Sequence, residues 1–296
     1  MAQPAGRAIT AIGRGWGRYL DQIVDSALAE DLGWGDATAA ALIDPAQIGA
    51  GVLRSRSDGV LAGLPVAERV FLRLDDTIRF RADLPDGTRI QAGDILARVE
   101  GPAQSMLSAE RVALNFLQRL SGIATLTGRF VAAAGSSRAR IVDTRKTTPG
   151  LRRLEKYAVR CGGGHNHRFN LSDAVLIKDN HLQTLATTGF DLGDAVKRAR
   201  SALSHVMHIT VEIDRLEQLE AVIAAGADAV LLDNMPPDQM AEAVRRVGGR
   251  LTVEASGGVT LDTIAAIAAT GVDLISVGAL THSAPALDIG LDFARG

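Results

Sequence analysis

The chain has 296 residues, 47% of them hydrophobic but only 4% aromatic, which predicts an aliphatic core shared by one large or two modest domains. A formal net charge of −2 gives no reason to expect nucleic-acid binding from bulk charge. One cysteine, Cys161, excludes an intrachain disulfide, and no apolar run approaches the roughly 20 residues of a membrane helix, so a cytoplasmic protein with no membrane partner is expected.

The first twenty residues carry Arg7, Arg14 and Arg18 and no acid; they read as a Gly/Arg-rich start rather than the transit peptide they faintly resemble. Tyr19–Ala29 has helical spacing, and Glu30–Thr38 follows as an acidic, glycine-punctuated loop with an N-cap at Asp36 or Thr38. From Gly51 the grammar changes. Val52–Arg56, Gly59–Leu61, Ile78–Ala82, Thr88–Ile90 and Ile95–Glu100 read as short strands, with a helix over Pro65–Leu74. Ser108 is the expected N-cap of a long helix reaching about Ala134, with Gly122 a possible break.

After Gly135, apolar runs alternate with amphipathic stretches. The runs are Ile141–Asp143, Ala174–Lys178, Ile209–Ile213, Ala229–Asp233, Leu251–Ala255 and Leu274–Gly278. Helices are expected over Asp191–Ala202, Arg215–Ala225, Pro237–Val247 and Leu261–Ala269. Such alternation predicts a parallel sheet covered by helices. Charged residues fall at the C-terminal ends of these strands: Asp143, Arg145 and Lys146, then Lys178, Glu212, Asp233 and Glu254. They belong where strands open into a shared mouth, as in an α/β barrel. An open doubly wound sheet would also put a ligand there, but no GxGxxG follows a first strand.

The basic stretch Arg145–Arg168, with Lys178 beyond it, points to an anion site. Arg152, Arg153 and Lys156, interspersed with Glu155, read as a solvated helix face, whereas Arg145, Lys146, Arg168 and Lys178 sit at strand ends or beside glycines. Cys161, His165 and His167 have zinc-ligand chemistry but not a standard spacing, and Gly162–Gly164 better suits close backbone approach. Glu212 and Asp233 either pair with Lys146 or Lys178, or hold Mg2+ on a pyrophosphate or face an electron-poor ribose carbon. Glu254-Ala-Ser256-Gly257-Gly258 and Ser276-Val-Gly278 are strand-to-helix turns able to hold a phosphate through backbone N–H groups.

Several longer strings are similar to those of quinolinate phosphoribosyltransferases, the carboxylating nicotinate-nucleotide pyrophosphorylases. They are Glu110-Arg111 to Thr125, Asp143-Thr-Arg145-Lys146-Thr-Thr-Pro-Gly-Leu-Arg152, Gly162-Gly-Gly-His165-Asn-His167-Arg168, Leu176-Ile-Lys178-Asp-Asn-His181, Glu30–Thr38 and Glu254–Gly258. The resemblance runs from about Tyr19 to the C-terminus. It implies an N-terminal α/β sandwich over 1–120, joined by the tail 286–296, and an incomplete α/β (TIM-like) barrel over 121–285.

The resemblance also implies a decarboxylating phosphoribosyl transfer in NAD biosynthesis, with quinolinate and phosphoribosyl pyrophosphate as substrates and Mg2+ as cofactor. Arg145, His167, Arg168 and Lys178 would bind the quinolinate carboxylates, joined by Arg111 from a partner subunit in a homodimer or a larger assembly such as a hexamer. Lys146, Glu212 and Asp233 would hold the phosphoribosyl group and its Mg2+, with Lys146, Lys178, Glu212 and Asp233 serving the chemistry. Ser256, Gly257, Gly258, Gly278 and His282 would hold the 5′-phosphate. The competing expectations are a relative acting on another ring acid, such as a paralogue associated with molybdenum uptake, a phosphometabolite-sensing barrel without turnover, and a zinc-binding module.

Overall fold

The computed structural model describes residues 16–293. Arg7, Arg14 and the last three residues of the expected tail therefore lie outside the described residues.

In chain order the first elements are α1 (Gly17–Leu32), α2 (Ala37–Leu42), β1 (Ile48–Ser55), β2 (Gly59–Val60) and α3 (Leu64–Leu74). Then come β3 (Arg79–Ala82), β4 (Arg89–Ile90), β5 (Ile95–Pro102) and α4 (Ala103–Ala133). The second half holds β6 (Arg140–Val142), α5 (Arg152–Cys161), β7 (Val175–Ile177), α6 (Asp179–Ala186), α7 (Leu192–Ala202) and β8 (Ile209–Ile213). It continues with α8 (Leu219–Ala224), β9 (Ala229–Asp233), α9 (Pro237–Val247), β10 (Thr252–Ser256) and α10 (Ile264–Ala269). The last elements are β11 (Leu274–Ser276), α11 (Ala279–His282) and β12 (Ile289–Phe293).

Two compact units emerge. Among the described residues, one comprises 16–128, 148–163 and 283–293, the other 129–147 and 164–282. The division expected at residue 120 falls inside α4, and α5 belongs with the first unit. Helix α4 continues without a break through Gly122. Gly122 is there for contact rather than for a kink, since a Cβ on it would collide with the Pro285 carbonyl.

The first unit carries an antiparallel sheet in the order β12-β1-β5-β3. Strand β12, from the end of the chain, pairs with β1 in the register Leu53↔Leu291 and Ser55↔Ile289. Its core packs Leu53, Leu61, Leu64, Leu96, Leu114, Leu117 and Ile289, all buried. Each fully buried leucine of this kind contributes roughly 1.5–3 kcal/mol. Asp36 caps α2, its Oδ1 accepting from Ala39 N at 2.9 Å, while its Oδ2 accepts from Ser108 Oγ. Ser108 is thus not an N-cap: α4 begins five residues earlier, at Ala103, directly after β5.

Helix α5 corrects a second expectation. Arg153 is exposed, but Glu155 and Lys156 are fully buried. Glu155 accepts from Arg119 Nη2 at 2.8 Å, from Thr148 Oγ1 at 2.8 Å and from Thr148 N at 3.1 Å. A mixed-charge helix read as a solvated face is therefore held inside by its acid.

The second unit is a six-stranded parallel sheet in the order β6-β11-β10-β9-β8-β7. Strands β8 and β9 are buried along nearly their whole length, as strands covered on both faces must be. Among the described residues, β6 and β7 are the two edges of this sheet. His165 adds a single parallel bridge to Val142 on the outer edge of β6, with His165 N donating to Ile141 O and His165 O accepting from Asp143 N. From β7 to β11 each strand thus lies beside its predecessor in the chain, β6 follows β11, and the His165 segment extends the sheet beyond β6; no strand pairing joins that segment to β7 among the described residues. Helix α9 shows how the connections form. Pro237 starts it, Asp238 lies in its first turn, Arg245 and Arg246 in its last, and Gly248 ends it in the left-handed region.

Candidate active site

One cavity of about 580 Å³ opens at the C-terminal ends of the parallel strands, and all of its lining belongs to the second unit. Every strand of that sheet, or the loop directly after it, contributes. Thr144, Arg145 and Lys146 follow β6; His167 and Arg168 follow the His165 bridge. Lys178 follows β7, Glu212 lies in β8, Asp233 ends β9, and Glu254 and Ser256 lie in β10.

The cations are held in place by their neighbours. Lys178 Nζ donates to Glu212 Oε2 at 2.6 Å, linking adjacent strand ends. Arg168 Nη1 donates to Ala174 O at 2.7 Å, which fixes the guanidinium while its remaining N–H groups stay available for recognition. Burial pushes the Arg168 pKa below its ordinary value, the charge of Arg145 adds to this, and Asp173 opposes it. The group remains a cation. Asp143, wholly buried, accepts from Asn166 Nδ2 at 2.7 Å and from His167 N at 2.8 Å, and so sets the course of the loop that presents His167.

The anionic side has two parts. Glu212 and Asp233 end neighbouring strands. Asp233 Oδ2 accepts from Asn234 Nδ2 at 2.9 Å. Asn234 has φ 54°, a left-handed conformation to which asparagine is better suited than most residues, and its N–H donates to Ser256 O at 2.8 Å. Glu254 is the other part: it is buried, bonded by Ser276 Oγ, and lies 3.4 Å from His167 Nε2.

Beside Asn234 run Gly257 (φ +89) and Gly258 (φ +59). A Cβ on Gly257 would strike the Asn234 side chain and come within 2.8 Å of its backbone nitrogen. Successive left-handed residues make a concavity that suits an anion. The helix expected to open at this turn starts later, at Ile264, because Thr260 and Thr263 first close a turn of their own. The concavity is thus made of loop backbone, not of a helix end. Gly278 lies against His282 Nε2 and Lys146 Cδ, at 3.1 and 3.2 Å from a Cβ placed on it. Thr281 Oγ1 donates to Lys146 O at 2.7 Å.

Of the expected site residues, the structure gathers Arg145, Lys146, His167, Arg168, Lys178, Glu212, Asp233, Ser256, Gly257 and Gly258 around the cavity. Gly278 and His282 pack beside Lys146 without lining it. Arg111 does not line it either; it is an exposed residue of α4 in the first unit. Asn234 and Glu254 line it although no role was read for them in the sequence. For Asn234 the available signal was an asparagine directly after a strand-ending acid. For Glu254 there was none beyond its place at a strand end. Among the described residues, no group of three or more His, Cys, Asp and Glu is arranged to hold a metal ion by itself. No described helix is long and apolar enough to cross a membrane.

Comparison with known proteins places the chain in a family. The family model for the quinolinate phosphoribosyl transferase C-terminal domain matches residues 123–292, and that for the N-terminal domain matches residues 36–121. A probable nicotinate-nucleotide pyrophosphorylase [carboxylating] of Bacillus subtilis is 44% identical over 92% of this chain and 93% of its own length. The nicotinate-nucleotide pyrophosphorylase [carboxylating] of Mycobacterium leprae is 44% identical over 90% of this chain and 94% of its own. The crystal structure of NadC from Streptococcus pyogenes superposes with TM-score 0.88 at 41% identity, covering 93% of this chain and 97% of that one. The chain belongs to the quinolinate phosphoribosyl transferase family.

Proposed function

We propose that the protein transfers the phosphoribosyl group of phosphoribosyl pyrophosphate to quinolinate with loss of CO2, giving nicotinate mononucleotide and pyrophosphate for NAD biosynthesis. The observation that carries this reading is the single cavity in which Arg145, His167, Arg168 and Lys178 meet Glu212 and Asp233. A dicarboxylate needs the cations. The carboxylates serve a substrate that develops positive charge.

In this reading Arg145, Arg168 and Lys178 hold the two ring carboxylates, with His167 beside them. Lys146 and the backbone of Ser256, Gly257 and Gly258 hold the phosphoribosyl moiety, aided by Gly278 and His282. The bond from C1′ to the pyrophosphate oxygen breaks, and Glu212 and Asp233 stabilise the positive charge that gathers at C1′. The ring nitrogen bonds to C1′. The bond from ring C2 to its carboxylate then breaks, its electron pair staying on C2 beside the cationic nitrogen, and C2 takes up a proton. Holding the two substrates in register supplies much of the acceleration.

Glu212 and Asp233 offer hard oxygen donors, and two carboxylates completed by substrate phosphates suit Mg2+. When bound, the ion would neutralise the leaving pyrophosphate. The reading includes a cytoplasmic homodimer, or a larger assembly such as a hexamer, in which Arg111 of one subunit serves its neighbour's cavity; its exposure on α4 supports this role.

The test mixes the protein with quinolinate, phosphoribosyl pyrophosphate and Mg2+ and follows nicotinate mononucleotide and CO2, with nicotinate as a parallel substrate. Equal amounts of both products from quinolinate, and none from nicotinate, are expected. Absence of turnover from folded protein would overturn the reading.

A further inference from the structure

Glu254 is a carboxylate at 2% exposure at the wall of the cavity that Arg145, Lys146, Arg168 and Lys178 also line. Burying such a charge is costly unless donors hold it. Both of its oxygens have partners. Oε1 accepts from Ser276 Oγ, on the neighbouring strand β11, and Oε2 faces His167 Nε2 at 3.4 Å. His167 comes from another segment of the sheet, two residues after the bridge on β6.

The two imidazole nitrogens are not equivalent. Nδ1 accepts from Arg168 N at 2.8 Å. A nitrogen that accepts a backbone N–H carries no proton, so in the neutral ring the proton sits on Nε2, which points toward Glu254. The same peptide N–H that orients the ring belongs to Arg168, whose guanidinium is fixed separately on Ala174 O. Turning the imidazole would therefore disturb the backbone of Arg168 as well. Glu254 acts at one end of this chain of contacts and Arg168 at the other.

We propose that Glu254, itself held by Ser276, is a positioning residue for the ring-acid site: it fixes the orientation and tautomer of His167 and, through the Arg168 backbone N–H, the setting of Arg168. The inference rests on the functional reading above and extends it to a residue that need not touch substrate. Its effect falls on the dicarboxylate and not on phosphoribosyl pyrophosphate, because Lys146, Gly257 and Gly258, which hold the phosphoribosyl moiety in this reading, make none of the contacts that run from Ser276 through Glu254 and His167 to Arg168.

The experiment first measures wild-type turnover on quinolinate; its absence would sink the functional reading and this inference with it. Given turnover, Glu254→Ala, Glu254→Gln, Ser276→Ala, His167→Ala and the Glu254→Ala/His167→Ala pair are compared by steady-state kinetics, with thermal unfolding as a check on folding. Glu254→Ala is expected to raise the quinolinate KM roughly tenfold, with the phosphoribosyl pyrophosphate KM nearly unchanged. Adding it to His167→Ala is expected to cost nothing further. Glu254→Gln, which keeps an acceptor for Nε2, should recover most of the loss. Should Glu254→Ala fail to fold, Ser276→Ala carries the test, with a smaller rise in the same constant. Equal losses for both substrates, full additivity with His167→Ala, or an unchanged quinolinate KM in the folded variants would overturn the proposal while leaving the functional reading intact.

Discussion

Lys178 Nζ lies 2.6 Å from Glu212 Oε2, so the residue following β7 and the penultimate residue of β8 form one charged unit at the cavity wall. Glu212 is 16% exposed there and Lys178 43%. Solvent screening at so exposed an ammonium makes the pair worth little to stability, about 1 kcal/mol or less. Its value lies in the chemistry. Lys178→Ala is expected to leave the unfolding midpoint nearly unchanged while lowering kcat/KM about 100-fold or more. The Lys178→Ala/Glu212→Ala cycle should be strongly non-additive in kcat/KM. A drop in melting temperature matching the loss of activity would show that the pair is structural.

Arg168 divides its donors between the Ala174 carbonyl and the cavity. A lysine cannot serve both, having a single ammonium in place of a planar fork. Arg168→Lys should therefore raise the quinolinate KM roughly tenfold although charge is conserved. The downward push that burial and Arg145 give its pKa leaves it ionised, so the defect should be flat from about pH 6 to about pH 9. A defect that appears only at one end of that range would point to another group.

Gly257 and Gly258 both have positive φ, but only Gly257 is crowded by Asn234. Strain alone costs about 1–3 kcal/mol. Gly257→Ala adds a collision with the Asn234 backbone that no side-chain rotation relieves. It should raise the phosphoribosyl pyrophosphate KM by more than Gly258→Ala does, and both should leave the quinolinate KM less affected. Comparable kinetics for the two variants would remove the steric argument.

How far the sequence carried this site depends on the length over which each signal acts. The apolar runs at Ile209–Ile213 and Ala229–Asp233 are strands with those bounds, because full burial on both faces leaves an unbroken apolar pattern. The charged residues at their C-terminal ends, Glu212 and Asp233, line the cavity, since a charge at a strand end has few other places to go. Helix α5 was legible only as a basic surface. Its burial depends on Arg119, which comes from α4, and no local pattern announces that pairing. Glu254 and Asn234 were missed for the same reason: their partners His167, Ser276 and Ser256 lie on other strand ends. Ser108 misled because a good capping residue inside a long helix looks like a start.

Glu155 makes a prediction for stability. It is fully buried, and Arg119 supplies its cation at 2.8 Å. Removing the cation leaves the carboxylate enclosed with the donors of Thr148 beside it, so Arg119→Ala should cost about 3–5 kcal/mol. Chemical denaturation measures this directly. Arg119→Ala with Glu155→Gln should be more stable than Arg119→Ala alone, since an amide can be buried where a lone carboxylate cannot. If the double variant is the weaker of the two, the cost lies in packing and not in charge.

Strand β12 supplies an edge of the first unit's sheet, yet it is translated after every residue of the second unit. The parallel-sheet unit, complete by His282, can close while β1 is still without one of its two strand neighbours. Synthesis therefore runs against the usual order in which the N-terminal domain folds first. A chain stalled before Ile289 would hold a finished cavity in one unit while the sheet of the other still lacked an edge strand.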